Sequence, residues 1–278
     1  MIRGVEQLEA RVAHNHEVAS SSLAPAILDY NKFPFEKAFI VRWVLSFLQN
    51  LKYDKRKRGL HMSNMTRTDF IKNCWRFYLV LEKRFMATTQ YVELSIDNYD
   101  TYSLEYVDLL QSIGSELDVF MKVVCGFEQT EFKTIKNYCD VLLGKYKNIK
   151  TQKVSVKYFD GEIKPFDGWD ADHAKQSLAW WEAYDLVKHG RIENFKLAKL
   201  ENILKALAAL YLLEMYYLKD IAKSDEMDIP EKESELFFLD NWNPRFMTSN
   251  GLLLEIINDK TVGLVTDDKA LNIDGGKV

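Results

Sequence analysis

The stretch "LAKLENILKALAALYLLEMYYLKD", residues 197–220, constrains the fold more than any other part of the chain. Leu197, Leu200, Leu204, Leu207, Tyr211, Met215 and Leu218 recur at steps of three and four, the spacing of one helix face. Around Ala206, Ala208 and Ala209 the other faces are apolar as well. A helix apolar nearly all round must be enclosed by other elements. The expectation is a helix over 192–223 at the centre of a bundle.

Other segments supply the surrounding helices. Phe70, Cys74, Phe77, Leu81 and Phe85 predict a helix over 67–91, ended by "SIDNYDT". Tyr106, Leu110, Ile113, Leu117, Phe120 and Val124 predict a second over 102–126, and the two can pack as an antiparallel pair. Phe132, Ile135, Cys139, Leu142 and Tyr146 predict a third over 130–148. Between 152 and 166 the period changes to two, with Val154, Val156 and Tyr158 followed by Asp160-Gly161 and Ile163, a hairpin signal. A fourth helix carries Leu178, Trp181, Tyr184 and Val187, with Asp170 or Asp172 as its cap and Gly190 as its end. After "KSDEMDIPEKESE", which reads as a charged linker, the runs 236–239, 252–257 and 262–265 predict short strands in a small β appendage. The fold class is therefore mainly α: a helical bundle over 62–225 with a β-hairpin insert, then a linker and a small C-terminal β segment over 226–278. The last residues, "NIDGGKV", are expected to fray.

The first 61 residues read differently. Residues 1–65 hold 10 Lys/Arg against 6 Asp/Glu, whereas the remainder holds 27 against 35. Such a change of charge marks a boundary. The opening segment, residues 3–26, resembles the translation of a tRNA gene. Codons for Ala19 to Ala24 can be written GCA AGT TCA AGT CTT GC, a five-base stem closing a seven-base loop. Ala13-His14-Asn15 can be written GCT CAT AAC, which places the anticodon CAT of a methionine tRNA between complementary strands from Val12 and His16. Glu6 to Ala10 and the pair of triplets at 3–5 and 24–26 supply the remaining two stems. The resemblance implies a spurious or disordered extension over 1–61 and a start at Met62 or Met65. The rival reading is a genuine amphipathic helix over 36–50, with Phe39, Trp43 and Phe47 on one stripe. The basic run 55–59 can likewise be a nucleic-acid patch or a translated ribosome-binding site.

Three cysteines with no CxxC pair read as reduced, small apolar residues, and the longest apolar run near the start is too short to span a bilayer. These features lead us to expect a cytoplasmic protein with no membrane partner. The sequence contains no HExxH, GxGxxG, GxxxxGK[ST] or GxSxG. Past residue 61 only His173 and His189 are available as imidazoles, and no metal or other cofactor is expected. Glu116 and Asp118 read as solvated charges.

The chemically informative segment is "WWEAYDLVKHGRIENF", residues 180–195, where polar "KHGR" separates a helix from the strongly apolar one. This stretch, with 69–126, resembles HEPN-like all-α bacterial proteins, several of which carry W-x-x-Y-(N/D)-x-(V/I)-K-H-x-R ahead of a long apolar helix. The resemblance covers about 65–225. It implies an RNA-binding or RNA-cleaving protein acting without metal as a homodimer, in bacterial defence or beside an antitoxin or neighbour-encoded partner. An imidazole can move protons near neutral pH and a guanidinium can hold a phosphate. Here, however, the family's order of arginine, four to six residues, then histidine is reversed to His189, Gly190, Arg191. Asp185 stands where asparagine is usual. The resemblance thus implies His189 and Arg191 as catalytic candidates, with Lys188, Asp185 and Tyr184 as binding candidates. Two alternatives stay open. Lys188, His189 and Arg191 can simply satisfy the carbonyls and dipole of the preceding helix end. The chain can also be a non-catalytic interaction module that docks a protein in the groove around His189.

Overall fold

The computed structural model describes residues 65–159, 161–240, 242–257, 261–264 and 271–273. The expectations for 1–64, including the tRNA-like segment, the helix over 36–50 and the basic run, lie outside these residues, as do Asp160 and 274–278. All described residues belong to the unit Met62–Val278.

The first helix is composite. An α-turn (α1, Arg67–Phe70) runs through a π segment, Ile71–Trp75, into α2 (Arg76–Thr88). Thr66 caps it by accepting from the Asp69 amide. The π turn adds one residue to the helical repeat and so shifts the buried stripe. Trp75 and Tyr78 are 1% and 0% exposed, while Phe77, expected inside, is 44% exposed. Next come α3 (Leu104–Cys125), ended by Gly126 at φ +71°, and α4 (Ile135–Lys145). A left-handed helix end favours glycine, which has no Cβ to clash. Helix α4 begins five residues later than expected, which leaves Phe132 outside it and exposed. Phe70 packs on Phe120, while Arg84 pairs with Glu105 at the other end, so the first two helices run antiparallel as expected.

Helix α5 (Ala179–His189) is followed by a single turn, α6 (Arg191–Asn194), and a 3-10 turn, Phe195–Leu197. Only then does α7 (Leu200–Ile221) begin, so the continuous helix expected over 192–223 is broken. The break has a structural cause. Ala198 is fully buried, Lys199 bridges to Tyr102, and the amides of Leu200 and Glu201 donate to the carbonyls of Thr101 and Tyr99. The 99–102 loop thus satisfies the first amides of α7, which has no side-chain cap. Residues 206–210 are wholly inaccessible, and α7 packs against α1, α2, α3 and α5. It is the central helix, as its all-round apolarity predicts.

Among the described residues, two antiparallel sheets accompany the bundle. The hairpin β1 (Val154–Val156) and β2 (Glu162–Ile163) pairs Val154 with Ile163. Its loop holds Tyr158, which was expected in the strand. Past Val156 the Lys157 amide still donates to the Leu236 carbonyl, one step further along the pairing with the C-terminal strand. Strand β3 (Phe237–Phe238) joins the other edge of β1, which places the first C-terminal strand in the hairpin's sheet and not in an appendage. The second sheet has the order β4 (Arg245–Met247), β5 (Leu253–Ile257), β6 (Thr261–Leu264), β7 (Leu271–Ile273).

The segment expected as a charged linker is a strap. Arg67 donates to the carbonyls of Met227 and Ile229 and pairs with Glu231. The Trp75 indole donates to Lys232, and the Asp228 carboxylate accepts from the Arg245 amide and guanidinium. Buried Glu82 accepts from the Tyr78 and Ser234 hydroxyls and from the amides of Glu235 and Leu236. A buried carboxylate is tolerated when its lone pairs are met.

Candidate functional site

Helix α5 is two-faced. Trp180, Trp181, Ala183, Tyr184 and Val187 are buried, and the Trp180 indole donates to the Pro165 carbonyl within a Phe166–Trp169–Trp180 cluster. The outer face carries Asp185, Lys188 and His189. Neither Asp170 nor Asp172 caps the helix, whose N-cap position is Leu178. Asp170 instead accepts from the amides of Asp172 and His173, closing a separate turn. The His173 amide, followed by the other contacts, holds the Asp170 carboxyl below its usual range despite partial desolvation.

Tyr184 anchors the site from beneath. Its ring lies where Gly114 of α3 makes room: a Cβ at Gly114 would stand 2.2 Å from a ring carbon. Burial raises the Tyr184 phenol above its usual range, against the effect of Lys188. Lys188 donates to the Tyr184 hydroxyl at 3.1 Å and lies 5.2 Å from the ring centre. Desolvation opposes the Lys188 charge, but Tyr184, Asp118 and Asp185 outweigh it and its pKa rises.

Asp185 stands between Lys175 and His189, with Lys175 Nζ at 2.5 Å and His189 Nε2 at 3.5 Å. The His189 side chain is 71% exposed. The exposed Arg191, directly after Gly190, makes no ion pair with a described residue. The structure therefore joins Tyr184 with Lys188 and Asp185 with His189, as two side-by-side pairs, and leaves Arg191 unengaged beside them.

The helix end is not satisfied by the cations. The Gly190 amide donates to the Leu186 carbonyl, and Asn194 Nδ2 donates to the carbonyls of Leu186 and Gly190. Asn194 thus performs the capping that Lys188, His189 and Arg191 were the candidates for. None of those three side chains donates to a carbonyl of the helix end: Lys188 reaches Tyr184 and His189 reaches Asp185 instead.

A second site was invisible to the spacing argument. Glu214 of α7 is fully buried and neither carboxyl oxygen has a hydrogen-bond partner. Burial, and then the neighbouring Glu116, push its pKa well above the usual range. Glu116 of α3, expected to be solvated, is half-buried, and desolvation raises it to about 7. Asp118 accepts from the Tyr138 hydroxyl and pairs with Lys122. The signal that could have revealed Glu214 is a lone charge inside an otherwise apolar run.

Among the described residues no cluster of three or more His, Cys, Asp or Glu could hold a metal ion, and no helix is long and apolar enough to cross a membrane. Among the described residues, the fold and this surface define a mainly α protein with two small sheets and a polar site at the end of a largely buried aromatic helix. Against family models, curated proteins and solved structures, the chain matches none.

Proposed function

We propose that the chain is a HEPN-like protein that binds or cleaves RNA at the C-terminal end of α5. The observation that carries this reading is the exposed His189, oriented by Asp185 and flanked by Lys188 and Arg191, none of which is used to close the helix. Lys188 and Arg191 supply positive charge for a phosphate, which a body of net negative charge otherwise repels. In such a site the imidazole takes the proton of a 2′-hydroxyl. The 2′-oxygen attacks the adjacent phosphorus and the 5′-oxygen leaves, giving a 2′,3′-cyclic phosphate. The leaving oxygen needs a proton from a second acid. A homodimer that juxtaposes two copies of the α5 end supplies it from the second His189. The setting in this proposal is the bacterial cytoplasm, in defence or beside an antitoxin.

A second reading rests on a different observation. Ile192 and Leu104 are 85% and 71% exposed, and Tyr102, packed edge-on against Phe195, is 42% exposed. These exposed apolar side chains, on α6 and on the loop and helix start that Phe195 packs against, favour a non-catalytic module that docks a protein partner.

Metal-free incubation with single-stranded RNA separates the two. The expected result is cleavage by the full chain and a loss of about a hundredfold or more in His189→Ala. A folded, dimeric sample with no cleavage in the presence of a chelator selects the interaction module.

A further inference from the structure

The outer face of the first helix is lined by cations. Lys72, Arg76 and Lys83 are exposed, and none of them makes an ion pair with a described residue. Steps of four and seven put them on one line along the helix. Among them stand two exposed apolar side chains, Phe77 at 44% and Val80 at 54%. Glu82, the one acidic residue within 72–83, is buried and turned to the strap. We propose that this face docks a protein partner: an amphipathic helix with acidic residues along one flank of its apolar stripe.

Three observations carry the partner's chemistry. The first is the π segment. It turns Phe77, which the apolar spacing assigns to the core, out to solvent, and single π turns recur where a helix carries function. The second is the extent of the patch. Phe70 packs on Phe120 and Arg84 reaches Ser112, so α2 and α3 lie antiparallel in a fixed register. That register sets Val119 of α3, 41% exposed, level with the Lys72 end of the face and widens the apolar strip across the groove between the helices. An apolar centre with a charged rim is the anatomy of a protein interface. The third is the charge. Over 104–121, α3 holds Glu105, Asp108, Glu116 and Asp118 and no Lys or Arg, so the cations lie on the α2 side alone. A helix laid in the groove therefore meets positive charge on one flank only, which fixes its orientation. Single-stranded RNA fits less well, because its phosphates would lie beside the α3 carboxylates and its backbone offers Val80 and Val119 nothing apolar to bury against.

From Lys72 to Lys83 the face is about 16 Å long at 1.5 Å per residue, which asks for a partner helix of about three turns. Helix α5 packs on α3 and α7, and its polar end takes no part in this surface. The docking face does not depend on the RNA reading of α5.

Fluorescence anisotropy on the full chain tests it with three labelled probes. One is an amphipathic peptide of about three to four turns, with leucines on one stripe and glutamates on one flank. The second is the same peptide with lysines in place of the glutamates, and the third is single-stranded oligouridine. The expected result is saturable binding of the acidic peptide that weakens about tenfold in the double variant Arg76→Glu/Lys83→Glu and in Phe77→Ala. Binding should be unchanged in Lys136→Glu, an exposed cation of α4. Circular dichroism checks that each variant is folded. No saturable binding of the acidic peptide, or equal binding of the lysine peptide, overturns the proposal. So does indifference to either α2 variant, or an equal loss in Lys136→Glu. Oligouridine that binds as tightly as the acidic peptide and is weakened by Arg76→Glu/Lys83→Glu also overturns it, and makes the face a nucleic-acid surface.

Discussion

Glu82 on α2 and Glu214 on α7 are both buried glutamates in one helical core, and their surroundings are opposite. Glu82 accepts from two hydroxyls and two backbone amides, and all the partners except Tyr78 lie in the strap. Glu214 accepts from none and has a like charge, Glu116, as its electrostatic neighbour. In the first region a carboxylate binds a distant segment to the helices. In the second a carboxyl group is held in its neutral form, because an unpaired buried charge costs far more than a proton. Burial alone therefore does not say whether a charge supports a fold; the donors around it do.

The largest effect follows from removing the paired group. Glu82→Leu removes the carboxylate that accepts from the Tyr78 and Ser234 hydroxyls and the amides of Glu235 and Leu236, leaving only the contacts of Tyr78 and Leu236 with Ser234. We expect a loss of about 3–5 kcal/mol in urea unfolding. A loss below about 1 kcal/mol would mean that the strap is held without Glu82, and the comparison would fail.

Glu214→Leu is expected to move the other way. A carboxyl whose folded pKa is raised contributes fully below its unfolded pKa, and the contribution is lost as pH rises toward the folded value. Replacing Glu214 by an apolar residue removes that loss. We expect a gain of about 1–3 kcal/mol at pH 8 and a smaller one at pH 5. Urea titrations at the two pH values check it. A variant less stable than the parent at pH 8 would show that Glu214 has a partner after all.

Glu116→Gln sharpens the same half of the comparison. With a folded pKa of about 7, the parent loses stability between the unfolded carboxyl value, near 4.5, and neutral pH. Because Glu116 is only half-buried, the effect is discounted to about 1–2 kcal/mol. Gln cannot ionise, so the variant's stability should be flatter across that window. An unchanged slope would place Glu116 in solvent, as its sequence neighbourhood suggests.

How much of this was legible follows from where each interaction's partners sit. The helices were readable because apolar period is local: α3 needed only Tyr106 to Val124, and α7 only its own unbroken apolarity. The π segment was not, since a one-residue shift leaves Phe77 and Tyr78 equally plausible as core. The strap was not, because Glu82 and Ser234 are 152 residues apart and "EKESE" looks the same whether solvated or pinned. Glu214 stands in the sequence as a single charge in "YLLEMYYL", and a helix enclosed for its apolarity encloses that charge with it. At the end of α5, "KHGR" marked the polar site. The capping by Asn194 depends on how the chain turns after Gly190, which spacing does not specify.

The smallest effect tests whether the Glu82 cluster acts as separable bonds or as one unit. Tyr78→Phe removes one hydroxyl donor and keeps the ring that stacks on Trp75 at 4.8 Å. The carboxylate keeps the Ser234 hydroxyl and both amides, so the expected loss is about 1 kcal/mol. In the background of Glu82→Leu the same change should cost less, because the hydroxyl it removes is already without its carboxylate. A double-mutant cycle by urea unfolding reads the difference. Strict additivity of the two changes would show that Tyr78 is held by Ser234 alone, which lies 3.0 Å from its hydroxyl. Clear non-additivity would show that Glu82 orders the Tyr78 hydroxyl as well as the strap.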